Sequence, residues 1–284
     1  MSNTSSPTYR DLAIPHFLEV FRIVDSVMKG NGTPFYLIGV NATDLQLLQE
    51  GIKPSRGTKD IDFAVMVSSF REYDKIKDDL ISQGFNKVKD SSITLYNSKY
   101  NVAIDVLPFG EIEESYTLNF TEREVMLNVV GFKETLSESF PVLIDEVLTV
   151  NVPPLHGMVI LKLIAWSDRP EIRATDLDDI YRIVKYYYEV EGDSIFEEHS
   201  DLLEIEPFDE KRIAARVMGR RIADILKKSD KLRKRVMEVI DENSSDPSGS
   251  SIAKHWASKN KIDAEYGISV LKNVKTGIEE RESV

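Results

Sequence analysis

Apolar residues at Phe17, Val20, Phe21, Val24 and Val27/Met28 recur at intervals of three and four, which predicts a helix over Pro15–Lys29 closed by Gly30-Asn31-Gly32. The apolar run Phe35–Gly39 predicts a short buried strand, followed by a helix from about Ala42 to Gln49. Ser55–Lys59 reads as a loop. Asp60–Met66 reads as a strand, and Ser69 caps a helix to about Gln83 that Gly84 ends. Further strands are expected at Phe85–Val88, Ile93–Tyr96, Val102–Leu107, Val125–Val130 and Val147–Val152. After Pro153-Pro154 the period becomes helical throughout, at 155–167, 176–190, 208–228 and 231–241. The pattern therefore predicts an α+β fold: a mixed sheet flanked by helices over 1–152, then an all-helical domain over 153–241. Asp241–Ser251 is polar, and the little apolar content beyond it marks 242–284 as linker and tail.

Composition narrows the chemistry. With 42% hydrophobic and 30% charged residues among 284, the chain has the balance of a folded protein rather than a disordered one. A net charge of −12 argues against a surface that grips nucleic acid or anionic lipid all round. The absence of cysteine excludes disulfides, thiolate metal sites and cysteine catalysis, and it suits a reducing cytoplasm. Four scattered histidines offer no His-rich metal site. Met1–Pro7 has no basic start followed by an apolar run, so a cytoplasmic protein is expected.

Two carboxylates stand out. Asp60 and Asp62 alternate with Ile61, Phe63 and Val65, so both acids leave one face of their strand while the apolar residues bury the other. Carboxylates so close repel, and oxygen ligands in this arrangement favour Mg²⁺ or Mn²⁺. Asp105 interrupts a second apolar strand. If the two strands adjoin, the trio can hold metal ions that activate a hydroxyl and steady a triphosphate, with Asp105 taking the hydroxyl proton. The simpler alternative leaves Asp60 and Asp62 as strand-edge residues and pairs Asp105 with a lysine. Gly39 opens a helix, where backbone N–H groups receive a phosphate, and Arg56 and Lys59 could neutralise the same group.

Tyr36-Leu-Ile-Gly-Val-Asn-Ala42 and Arg56-Gly-Thr-Lys-Asp-Ile-Asp-Phe63 resemble the nucleotidyltransferase core of DNA-polymerase-β-like enzymes, in particular the AbiEii/AbiGii toxin branch. Ala103-Ile-Asp-Val-Leu-Pro-Phe-Gly110 is similar to that branch's third-carboxylate strand. Leu161-Lys-Leu-Ile-Ala165, Asp168-Arg169 and Asp176-Leu-Asp-Asp-Ile180 resemble its helical motifs. The resemblance implies a nucleotidyltransferase-type sheet and transfer of a nucleoside monophosphate from a nucleoside triphosphate to an acceptor hydroxyl. It further implies an acceptor such as the 3′ end of tRNA and a neutralising antitoxin. Lys162 would then reach the triphosphate, and Asp176 would face the site and position a base or the acceptor. The family usually has Gly or Ser after the first glycine; here Val40 would crowd the phosphates, with Asn41 offering a polar contact from the next position.

Other readings stay open. Lys162 on its apolar helix also fits a snorkelling lysine at a domain edge. Asp168 and Arg169 also read as an ion pair capping a helix end. Residues 211–235 carry eleven bases against Asp224 and Asp230. That block fits either a phosphate-binding face for an RNA acceptor, or solvated helices whose bases pair with the acidic Asp193–Glu210 segment. Beside the nucleotidyltransferase stand a degenerate nucleotide- or partner-binding protein without catalysis, and a small-molecule enzyme acting on an aminoglycoside-like hydroxyl.

Overall fold

The computed structural model describes residues 16–54, 57–58, 60–113, 117–120, 125–144 and 148–282, together with Leu12 and Ile14. The chain forms two compact units, Met1–Pro153 and Pro154–Val284. No helix among the described residues is long and apolar enough to cross a membrane.

In the first unit, α1 (Phe17–Asn31) buries the predicted stripe Phe17, Val20, Phe21, Val24, Val27 and Met28, and Gly32 ends it at φ 65°. Then come β1 (Phe35–Leu37), α2 (Gly39–Gln49), β2 (Asp60–Met66), α3 (Phe70–Ser82), β3 (Asn86–Lys87), β4 (Thr94–Asn97) and β5 (Val102–Phe109). The Ser69 hydroxyl accepts from the Glu72 N–H and caps α3, as expected. Five strands form one mixed sheet in the order β1-β2-β5-β4-β3, with β2 and β5 parallel and the other pairs antiparallel. Ile61, Phe63 and Val65 are buried on one face, where the Phe63 ring stacks near Phe21 and Phe35.

The opposite face differs from the expectation of an open one. Beyond Asp60 and Asp62 it carries Ala64, which clusters with Ile38, Phe109 and Leu136, and Phe132 packs against the group. Phe132 and Leu136 come from α4 (Phe132–Leu136), a short helix the sequence pattern did not predict. Two hairpins complete the unit, β6 (Thr117–Phe120) with β7 (Val125–Asn128), and β8 (Phe140–Ile144) with β9 (Leu148–Val152). Asp60 and Asp62 thus begin β2 half-buried, whereas Ala64, farther along the same face, is fully buried.

The second unit is helical: α5 (Leu155–Asp168), α6 (Ala174–Val190), α7 (Gly192–Glu198), a 3₁₀ turn at Ser200–Leu202, α8 (Glu210–Leu226) and α9 (Asp230–Ser244). The expected linker and tail over 242–284 is corrected by α10 (Ser251–Lys259) and α11 (Ala264–Glu282), which are part of the packed unit. Ser250 caps α10 by accepting from the Ala253 N–H at 3.0 Å, and Asn243 Oδ1 accepts from the Ile252 N–H at 3.2 Å. Trp256 is buried and donates its indole N–H to the Leu177 carbonyl at 2.8 Å. Ile268, Leu271, Val274 and Ile278 bury one face of α11.

Few apolar side chains suffice there because two glycines let α8 and α11 touch backbone to backbone. A Cβ on Gly219 would overlap the Val274 carbonyl, and one on Gly277 would overlap the Arg216 carbonyl. Gly277→Ala should therefore force the helices apart and cost about 2–3 kcal/mol, the upper range for overpacking. A chemical-denaturation curve measures this, and a variant as stable as the parent would show that the crossing is looser than drawn.

Candidate active site

The parallel pairing of β2 with β5 sets Asp62 opposite Asp105 and Asp60 opposite Ala103. Asp60, Asp62 and Asp105 are each half-buried, and each places a carboxylate oxygen so that the three lie within 4.8 Å of one another. The predicted convergence of the two strands is what the register produces. Three such oxygens suit a hard divalent cation and no neutral ligand, because each carboxylate adds repulsion that a cation relieves.

Neighbouring groups hold the acids from the side. Thr58 Oγ1 donates to Asp60 Oδ1. Thr94 stands opposite Asp105 across β4–β5, and its hydroxyl donates to Asp105 Oδ1 at 2.6 Å. Neither threonine was singled out by sequence reasoning. Thr58 lay within the quoted motif, whereas Thr94 depends on a cross-strand register that no local pattern reveals.

Gly39 sits at φ 69°, a conformation that glycine adopts without penalty, and a Cβ there would overlap the Asp62 carboxylate. Two independent constraints thus require glycine, and they bring the start of α2 against the acidic trio. The N–H groups of a first helical turn carry partial positive charge, so this turn faces the acids with the favourable sign. Val40, the next residue, is buried. Asn41 is fully buried and donates to the Asp60 carbonyl at 3.1 Å, so it fixes the start of β2. Its Oδ1 has no hydrogen-bond partner among the described residues. Arg56 and Lys59, expected to meet phosphate, lie outside the described residues.

Lys162 and Asp176 form a separate centre within the helical unit. The buried Lys162 ammonium lies 3.2 Å from Asp176 Oδ1 and 2.8 Å from Asp179 Oδ2. Burial by itself would lower the lysine pKa, but the charges and hydrogen bonds of Asp179 and Asp176 hold it above the ordinary value. Arg173 places a guanidinium nitrogen 3.6 Å from the other oxygen of Asp176. This ammonium is not at a solvent edge, so the snorkelling reading is corrected.

Asp168 and Arg169 do stand at the end of α5, with Arg169 as its C-cap, and Asp168 pairs with Arg235 at 3.2 Å. The basic block 211–235 is not one open face. Arg216 pairs with Glu280, Arg220 with Asp201 and Glu280, and Arg221 with Glu191. Only Asp201 of these partners comes from the expected acidic segment; α11 supplies Glu280.

The family model described as nucleotidyl transferase AbiEii toxin, type IV toxin–antitoxin system, matches residues 47–248. The chain belongs to this family. The matched span of this AbiEii-family chain contains all three sheet aspartates and the Lys162 centre, and it begins after the Gly39 turn. Among solved structures it is similar to the antibiotic-resistance factor ANT(2'')-Ia at 11% identity, covering 66% of this chain and 94% of that one with a TM-score of 0.41. An antigenic nucleotidyltransferase-like protein from Paracoccidioides brasiliensis is 14% identical over 82% of this chain and 95% of that one, with a TM-score of 0.40. The lincomycin-bound lincosamide antibiotic adenylyltransferase LnuA is 15% identical over 62% and 96%, with a TM-score of 0.37. No curated protein matches the sequence.

Lys162→Met would remove the ammonium shared by the buried Asp176 and Asp179, and should cost about 3–5 kcal/mol of stability in denaturant titrations at pH 7. The raised lysine pKa means that this contribution is complete below the unfolded-state value of 10.5 and fades as pH rises through the higher folded-state value. The parent should therefore lose stability in that alkaline range, and the variant should show a flatter profile there. Equal stability of the two proteins at pH 7 would rule out a structural pair.

Proposed function

We propose that this chain is a divalent-metal-dependent nucleotidyltransferase that moves a nucleoside monophosphate from a nucleoside triphosphate to an acceptor hydroxyl. The observation that carries this reading is the convergence of Asp60, Asp62 and Asp105 within 4.8 Å beside the start of α2. Membership of the AbiEii family supports the same reaction class. Asp60, Asp62 and Asp105 would hold Mg²⁺ or Mn²⁺, and the ion would supply charge neutralisation at the phosphates and activation of the acceptor oxygen.

The chain's own groups account for the remaining work. The first-turn N–H groups at Gly39 bind phosphate oxygens, with Arg56 and Lys59 adding positive charge. The acceptor oxygen attacks the α-phosphorus, the bond to the β-phosphate oxygen breaks, and pyrophosphate leaves with that electron pair. Asp105 takes the proton of the acceptor hydroxyl. Asn41 serves by fixing the backbone of Asp60 instead of touching nucleotide. Lys162 and Asp176 stabilise the helical unit, a role supported by their burial against Asp179.

The family's description as a type IV toxin supports a toxin–antitoxin setting with a cognate antitoxin as partner. In that reading the protein works in the cytoplasm and the acceptor is RNA, such as the 3′ end of tRNA. The ion pairs of Arg216, Arg220 and Arg221 weaken the support for 211–235 as the face that meets the RNA backbone.

Purified protein incubated with Mg²⁺, each α-phosphate-labelled nucleoside triphosphate and total cellular RNA should transfer label to an RNA band. Asp60→Ala/Asp62→Ala protein should leave the RNA unlabelled. Absence of both transfer and Mg²⁺-dependent triphosphate binding in the parent would overturn the reading in favour of a degenerate core.

A further inference from the structure

The turn before β4 carries a second hydroxyl behind the one on Asp105. Ser91 Oγ lies 2.6 Å from Thr94 Oγ1, and Thr94 Oγ1 lies 2.6 Å from Asp105 Oδ1. The direction of this chain follows from proton counting. Ser91 Oγ accepts the Thr94 N–H at 3.0 Å and faces the Ile93 N–H at 3.4 Å, so its own proton turns toward Thr94. A hydroxyl has one proton to give, and Thr94, receiving from Ser91, gives its proton to the carboxylate. Hydrogen bonds in series polarise one another, so the last link is stronger than an isolated one.

The turn that presents these hydroxyls is itself fastened. Asp90 adopts φ 66°, a left-handed conformation that aspartate tolerates better than most residues. The Ile93 carbonyl accepts the Val106 N–H at 2.9 Å, one residue beyond Asp105. From α3, the buried Tyr73 hydroxyl donates to the Val106 carbonyl at 2.8 Å and lies 3.4 Å from the Ser92 carbonyl. Both ends of the hydroxyl chain are therefore tied to the same stretch of β5.

We propose that Ser91 and Thr94 are positioning residues for the acidic trio. They hold Asp105 in the one side-chain orientation that brings its carboxylate toward Asp60 and Asp62. This rests on the metal-binding reading above. Without the donor, Asp105 Oδ1 loses the hydrogen bond that helps to fix its orientation, and each bound ion must then meet more of the cost of ordering it. The effect falls on ion affinity before it falls on any chemical step.

The test titrates Mn²⁺ into the full-length protein without nucleotide and reads free ion by electron paramagnetic resonance. Thr94→Val keeps the branched shape and strand preference while removing the hydroxyl. It should weaken Mn²⁺ binding about 10-fold, the low end for losing an outer partner of a metal ligand, with an unchanged melting temperature. Thr94→Ser restores the donor and should stay within roughly 3-fold of the parent, and Ser91→Ala should fall between the two. Parent-like binding by Thr94→Val, alongside loss in Asp62→Ala, would overturn the proposal and leave the metal site standing. Equal weakening in Thr94→Ser and Thr94→Val would also overturn it, since packing would then be the cause. No Mn²⁺ binding by the parent would remove the metal reading and the positioning role with it.

Discussion

Everything at the candidate site depends on one strand pairing. Because β2 and β5 run parallel with Asp62 opposite Asp105, three carboxylates share a small volume at one end of a buried sheet. Left to itself this arrangement is repulsive, and the fold holds it with hydroxyl donors and a helix N-terminus. Thr58 engages Asp60, Thr94 engages Asp105, and Gly39 brings the first turn of α2 against Asp62. The same repulsion makes the site receptive to a cation.

The surrounding core explains why the acids lie where they do. On the face they share, Ala64 and Leu107 are already covered by Phe109, Phe132 and Leu136. Asp60, Asp62 and Asp105 lie beyond this cover, each half-buried. A shift of β2 against β5 by one residue would turn the acids toward the face where Phe21 now packs on Phe63, a change that burial of a charge forbids. Register and site geometry are therefore set by the same hydrophobic contacts.

Much of this was legible beforehand, for identifiable reasons. Alternation in Asp60–Met66 and a charge inside Val102–Leu107 are local signals, and they located all three aspartates before any coordinates. Thr94 could not be found that way, because its importance lies in facing Asp105 across a strand pair. The C-terminal helices were missed because a low apolar count suggests a tail. Gly219 and Gly277 let backbones supply the contact that side chains would otherwise provide. Lys162 stood among apolar neighbours, and its acidic partners fourteen and seventeen residues later become visible only when α5 and α6 pack.

The most direct measurement is an anomalous difference map from crystals grown with Mn²⁺ and a non-hydrolysable nucleoside triphosphate. A peak bounded by the carboxylates of Asp60, Asp62 and Asp105, with the triphosphate against the first turn at Gly39, is the expected result. Well-ordered nucleotide bound elsewhere, with no anomalous density at the three aspartates, would contradict it.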